Sequence, residues 1–253
     1  MLELKNIQQT YNIGTINEKR IFDNLNLSLP RDEFVTIIGG NGSGKTSLLN
    51  LICGSIRPEK GQITLDNEDI TYEPEYKRYK KIGRVFQDPA AGVASSLTLI
   101  ENLALAENKN KPYNFGFAVK AEQRKSLQER LSVFKLDLEN KLDEKVGSFS
   151  GGERQAVALL MATVSPIDYL ILDEHTAALD PKAADTIMKL TQQIIDMDKI
   201  AAIMVTHDLT YAAEYGDRLL VFNQGEIILD TRDQENKQEI LRDPTYLEKT
   251  YGR

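Results

Sequence analysis

The 253-residue sequence predicts an α/β fold: a strand–helix core, an antiparallel β edge leading into it, and an α-helical subdomain inserted within it. Three observations predict this. Residues 1–30 alternate apolar and polar positions, as half-buried strands do. A short apolar strand, Phe34 to Ile38, runs straight into a glycine-rich loop and then a helix. From Pro89 to Pro166 helix formers dominate, and strand–helix alternation resumes only afterwards.

The elements follow in order. Leu2, Leu4 and Ile7, then Ile21, Leu25, Leu27 and Leu29, mark two edge strands around a polar loop at Asn12 to Arg20. Lys45 to Ile52 has helical character and Gly61 to Leu65 reads as another strand. Helices are expected at Leu97 to Glu107, Ala121 to Phe134 and Gly152 to Val164, with a polar connection at Asn108 to Lys111. Tyr169 to Asp173 returns to strand, Pro181 to Asp196 to helix, Ile200 to Thr206 to strand and Leu209 to Tyr215 to a short helix. Leu219 to Phe222 and Glu226 to Leu229 form a hairpin around Asn223-Gln224-Gly225. The tail after Thr231 is polar. One domain is expected, with core segments 1–87 and 166–253 and a helical subdomain at 88–165.

Composition narrows the function. Hydrophobic residues make up 41% and charged residues 27%, a globular balance rather than a disordered one. With 31 basic against 38 acidic residues the net charge is −7, which argues against a broad nucleic-acid face; no nucleic-acid partner is expected. The longest apolar runs fall far short of the ~20 residues of a spanning helix. The first six residues lack a basic region followed by an apolar core. The expectation is a cytoplasmic protein that meets a membrane only through a partner chain. The single cysteine, Cys53, reads as a small buried apolar side chain.

Gly39-Gly-Asn-Gly-Ser-Gly-Lys-Thr46 fits G-x-x-x-x-G-K-[ST], with an apolar strand before it and a helix after it. Glycines let the backbone wrap phosphates so that successive N–H groups point inward, and the following helix adds its positive dipole end. Gly39, Gly40, Asn41, Gly42, Ser43, Gly44 and Ser47 would line the cradle. Lys45 would reach the β- and γ-phosphates and the Thr46 hydroxyl would ligate Mg²⁺. The chain therefore binds a nucleoside triphosphate.

Further segments decide which kind. Ser148-Phe-Ser-Gly-Gly-Glu-Arg-Gln155 resembles the L-S-G-G-Q signature of ATP-binding-cassette (ABC) ATPases, with Phe149 for leucine and Glu153 for glutamine. Tyr169-Leu-Ile-Leu-Asp-Glu174 resembles their Walker B strand, Ala177-Ala-Leu-Asp180 the D-loop, Val85-Phe-Gln-Asp-Pro89 the Q-loop and Val205-Thr-His-Asp208 the H-loop. Tyr11 stands where the family places an aromatic that stacks on adenine. All seven features occur in the family's order between Tyr11 and His207.

The resemblance implies a P-loop NTPase fold with a RecA-like core, and ATP and Mg²⁺ as ligands. It implies Asp173, Thr46 and Gln87 around the metal, Glu174 polarising the attacking water, and His207 on the γ-phosphate. Ser150, Gly151, Gly152 and Glu153 would meet the ATP of a second copy, and Asp180 would cross the interface. Asp180 and Ser150 also read as ordinary helix caps, roles compatible with the others. The implied activity is ATP hydrolysis coupled to transport. The implied partners are a second copy, an integral membrane permease and, indirectly, an extracellular solute-binding protein, with the chain peripheral on the inner face of the membrane. Asp173-Glu-His-Thr-Ala-Ala-Leu-Asp-Pro-Lys182 looks most like subunits for uptake of amino acids or similar small solutes. His175 there replaces the usual proline. An exporter subunit, or an ABC ATPase acting on nucleic acid or ribosomes, are the alternatives. Ala91 to Ser96 with Phe115 and Phe117 reads equally as a permease-docking groove or as a solvated loop.

Overall fold

A computed structural model describes residues 1–109 and 119–242, with the backbone alone for 240–242. An antiparallel sheet opens the chain: β1 (Leu2–Tyr11), β2 (Lys19–Leu29), β4 (Lys60–Leu65) and β5 (Glu68–Asp69), in the order β2-β1-β4-β5. The second sheet has the order β10-β9-β3-β8-β7-β6. It comprises β3 (Phe34–Gly39), β6 (Ile82–Val85), β7 (Tyr169–Asp173), β8 (Ala201–Val205), β9 (Arg218–Asn223) and β10 (Glu226–Thr231). Five of its strands run parallel and β10 is the antiparallel edge.

The parallel strands are nearly all apolar because both faces are covered. One face sends Val35, Ile37, Tyr169, Ile171, Ala201 and Ile203 into a core shared with the antiparallel sheet and α1 (Lys45–Cys53). Cys53 is fully buried there, as its apolar neighbourhood predicts. The other face sends Leu170, Leu172, Ala202 and Met204 against α3 (Leu99–Glu107), α4 (Ala121–Ser132), α5 (Gly151–Thr163) and α6 (Pro181–Asp198). Side chains of the inserted helices and of the sheet thus belong to one continuous cluster.

α2 (Glu75–Arg78) is a single turn, yet it delivers Arg78 into the core, 2% exposed. All five guanidinium N–H groups are used. They donate to the carbonyls of Leu51, Ile52, Ile70, Thr71 and Glu73, which ties the end of α1 to the loop after β5. α7 (Leu209–Glu214) starts at Asp208, whose side chain accepts from the N–H groups of Thr210 and Tyr211.

Two segments differ from expectation. Ile82–Val85 is a strand in the sheet although its sequence, Ile-Gly-Arg-Val, has no strong signal. Gly83 is required there: a Cβ would meet the Ala162 carbonyl oxygen on α5 at 2.7 Å. The polar stretch after Thr231 contains α8 (Gln234–Arg242), anchored by a fully buried Lys237 that donates to the Gly216 carbonyl at 2.6 Å. Phe115, Phe117 and part of the Asn108 to Lys111 connection lie outside the described residues.

Candidate nucleotide site

Parallel pairing builds the site. Because β3, β8, β7 and β6 run side by side in one direction, their C-terminal ends share an edge, where open α/β sheets bind ligands. β3 ends in the phosphate loop, β8 leads to His207, β7 ends at Asp173 and Glu174, and β6 leads to Gln87. Neighbouring strands are about 4.8 Å apart, so residues scattered from Gly39 to His207 line up within side-chain reach.

The loop needs its glycines. Gly39 has φ +155°, and a side chain there would run into the Phe222 carbonyl. Gly44, at the start of α1, has φ +110° and lies against the Phe22 ring, 2.8 Å from where a Cβ would be. Lys45 is buried, and its Nζ donates to the carbonyls of Gly39 and Gly40 at 2.7 and 3.0 Å, which keeps the ammonium inside the loop. Burial pushes its pKa down, while Glu174 and Asp173 oppose the shift; the carboxylates are close enough to be felt. Asn41, Gly42 and Thr46 are exposed, and Ser43 is buried. Tyr11 is half-buried at the end of β1 and donates through its hydroxyl to Ser47 Oγ at 3.2 Å, so its ring stands beside the first turn of α1.

The two carboxylates diverge, as successive residues at a strand end do. Asp173 continues β7 and accepts at Oδ2 from Arg84 at 2.9 Å. Glu174 leaves the strand with φ +49°, a left-handed conformation that turns its side chain toward His207. His207 Nε2 lies 2.6 Å from Glu174 Oε1. The next residue, His175, points inward, 2% exposed, with Nε2 3.2 Å from Thr191 Oγ1 on α6. Gln87 is exposed just beyond β6. Hard oxygen donors from Thr46, Asp173 and Gln87 on one edge fit a magnesium ion. Asp173 Oδ1 has no hydrogen-bond partner among the described residues, which leaves it free to serve a cation.

The signature segment lies elsewhere. Ser150 caps α5: its Oγ accepts from Glu153 N at 3.2 Å, and Glu153 Oε2 accepts from Ser150 N at 2.8 Å, a closed capping box. The serine hydroxyl still has its own proton to donate. Glu153 is committed within the chain, since its other oxygen takes Lys141 Nζ at 2.6 Å. The pair and the cap together hold this carboxyl at about 2. Any role of Glu153 toward a nucleotide therefore runs through the helix end it stabilises. Gly152 lets α6 approach that end closely, since a Cβ there would meet Ala183 Cβ at 3.1 Å. Asp180, the cap of α6, accepts from Ala183 N and lines a pocket of about 270 Å³ together with Ser150 and Gly152. A separate pocket of about 460 Å³ at the phosphate loop is lined by Gly40 to Ser43 with Lys19 and Arg20. The two pockets share no residue.

Sequence reasoning missed Arg84, Lys19 and Arg20. Arg84 was hidden in a strand too short to recognise. The cations at 19 and 20 looked like part of a polar loop, and only the pairing of β2 with β1 brings them over the phosphate loop.

A phosphate cradle and paired carboxylates on one sheet edge make this a P-loop ATPase by class. Comparison with known proteins narrows the class. The family model described as "ABC transporter" matches residues 22–177. The chain is 43% identical to the "Tyrosine transport ATP-binding protein" of Clostridioides difficile over 95% of its own length and 97% of that protein's. It is 31% identical to the "Energy-coupling factor transporter ATP-binding protein EcfA2" of Acetivibrio thermocellus, over 89% of this chain and 78% of that one. Among solved structures, it resembles the dimeric post-hydrolysis state of the ATP-binding cassette MJ0796 bound to ADP and Pi, from Methanocaldococcus jannaschii. The TM-score is 0.76 at 32% identity, covering 91% of this chain and 98% of that one. The chain belongs to the ABC transporter family, as an ATP-binding subunit with ATP hydrolase activity. Among the described residues no helix is long and apolar enough to cross a membrane.

Proposed function

We propose that two copies of this chain close head to tail around ATP and drive a membrane permease that imports a small solute, an amino acid of the tyrosine class. The observation that carries this reading is the separation of the phosphate loop from the signature helix end. Each is an anion-binding feature, each opens into its own pocket, and each lacks the other's help within the chain. A second copy turned head to tail supplies the missing half of both sites.

In this reading Tyr11 stacks on the adenine, and Gly39 to Ser47 cradle the phosphates. Lys45 offsets charge on the transferring phosphoryl group. Ser150, Gly151 and Gly152 of the partner close over the γ-phosphate, and Asp180 holds the D-loop turn that crosses between copies. Thr46, Asp173 and Gln87 would hold Mg²⁺, which when bound would draw charge from the phosphate oxygens. Glu174 takes a proton from the attacking water as the water oxygen bonds to the γ-phosphorus. The bond to the bridging oxygen breaks with its electrons leaving on ADP, and inorganic phosphate is the other product. His207, already paired with Glu174, orients that carboxylate and faces the γ-phosphate.

Closure on ATP and separation after hydrolysis would be transmitted to a permease on the inner face of the membrane, with an external solute-binding protein delivering the cargo. The amino-acid reading rests on the Clostridioides difficile relative and on the Asp173 to Lys182 segment. The test is to purify the tagged chain from detergent-solubilised membranes and to measure uptake of labelled tyrosine in cells with and without it. A stoichiometric polytopic membrane protein and loss of uptake are expected. A homodimer without a membrane protein, or a DNA or ribosome partner, contradicts the transport reading. Unchanged uptake with slower efflux contradicts import.

A further inference from the structure

Arg84 reaches three elements of the site at once. Its Nη2 donates to Asp173 Oδ2 on β7 and its Nη1 to Asn50 Oδ1 on α1, both at 2.9 Å. Its guanidinium lies 4.7 Å from the centroid of the Phe86 ring. Phe86 immediately precedes Gln87, and its carbonyl accepts from Gln155 Nε2 on the signature helix at 3.3 Å. The Arg84 side chain is 7% exposed and that of Asp173 15%.

We propose that Arg84 is a positioning residue for the magnesium carboxylate: it fixes Asp173 by one oxygen so that the other faces the cation, and it ties that orientation to α1 and to the Gln87 loop. This rests on the reading of Asp173 as the metal-holding carboxylate.

The carboxylate torsion of an aspartate is broad and nearly two-fold, so an unpartnered Asp173 would present either oxygen and sample wide angles. A donor on Oδ2 removes that freedom, and Oδ1, which has no hydrogen-bond partner among the described residues, becomes the metal-facing atom. Groups that hold a metal ligand from behind set its orientation, and their loss weakens metal binding. Only a planar fork can do this here. Asp173 and Asn50 sit on separate terminal nitrogens of one guanidinium, whose central carbon lies over the Phe86 ring. A lysine is a point charge on a flexible stem, able to keep the charge but not this geometry. The fork also spans β6, β7 and α1, so movement of the Gln87 loop and orientation of the carboxylate are mechanically joined.

The test uses the full-length chain and a fluorescent ATP analogue, first in EDTA and then with Mg²⁺ titrated in, for wild type, Arg84→Lys and Asp173→Asn. Arg84→Lys is expected to bind the analogue in EDTA as wild type does and to need about 10- to 100-fold more Mg²⁺ for the metal-dependent gain. Asp173→Asn is expected to shift in the same direction. Should Arg84→Lys superimpose on wild type while Asp173→Asn is shifted, Arg84 merely joins strands and the proposal falls. Should Asp173→Asn also superimpose, the metal reading of Asp173 falls, and the proposal with it. If Arg84→Lys does not fold, Asn50→Ala loosens one arm of the fork while leaving its charge in place. A smaller shift in the same direction supports the proposal, and an unshifted Mg²⁺ titration overturns it.

Discussion

His175 will make the fold sensitive to pH between neutrality and pH 5. Its imidazole is buried, and Nε2 meets Thr191 Oγ1, whose own proton goes to the Ile187 carbonyl at 2.8 Å. The threonine oxygen can then only accept from the ring, so Nε2 carries a proton, and burial disfavours a second one on Nδ1. Burial pushes its pKa from 6.5 down to about 4. In the unfolded chain the same side chain titrates near 6.5. Below that value the unfolded state therefore binds a proton that the native state refuses. The stabilisation is fully present well above pH 6.5, declines as the pH falls below it, and is gone once the pH has passed the folded value. At 1.36 kcal/mol per pH unit, the gap between 6.5 and about 4 is worth about 3 kcal/mol in full, and about 2 kcal/mol of it is gone at pH 5. Urea unfolding of wild type and His175→Gln at pH 7.5, 6.5, 5.5 and 5.0 measures this. The chain has only two histidines, so His207→Gln is a complete control for the other. Wild type should lose about 2 kcal/mol more than His175→Gln between pH 7.5 and 5.0. Parallel stability curves for the two proteins would refute the reasoning.

Other substitutions test other parts of the molecule. Arg78→Met leaves five carbonyls without their donor, and urea unfolding should show a loss of about 3–5 kcal/mol. A loss under about 1 kcal/mol would mean the guanidinium's burial cancels its hydrogen bonds. Glu153 is held near 2 by Lys141 and the Ser150 N–H, so it stabilises the fold above its ordinary value of 4.5 and that contribution fades as pH falls toward 2. Glu153→Gln should flatten acid unfolding across that window, read by circular dichroism. Tyr11→Ala should weaken ATP binding by about 1–3 kcal/mol while Tyr11→Phe retains it, as base stacking requires. Equal affinities in fluorescence titration would remove Tyr11 from the adenine site.

What could be read from the sequence was whatever is encoded locally. The phosphate loop is legible because eight consecutive residues carry both the conformational demand for glycine and the chemistry of lysine and threonine. The strand ending at Asp173 and Glu174 is legible because burial on both faces makes it continuously apolar. The caps Ser150 and Asp180 act within their own first turns. The hidden features are those whose cause lies far along the chain. β6 is a strand because β7 pairs with it, and Arg84 tolerates burial because Asp173, 89 positions away, meets it. Lys237 is buried only because Gly216 presents a carbonyl to it. Glu153 stood in the sequence as a nucleotide contact, yet the short distance to Lys141 gives it a structural task that its motif alone does not reveal. His175 likewise stood out in the sequence, but its partner Thr191 is about three turns along a helix whose packing had to be seen.

The claim most worth testing is that one ATP is enclosed by two chains. Light scattering on Glu174→Gln, which should bind ATP but not turn it over, measures this directly. Twice the monomer mass is expected in ATP and the monomer mass in ADP, with Ser150→Arg abolishing the dimer while leaving ATP binding intact. A monomer in saturating ATP, or a dimer indifferent both to nucleotide and to Ser150→Arg, would contradict it.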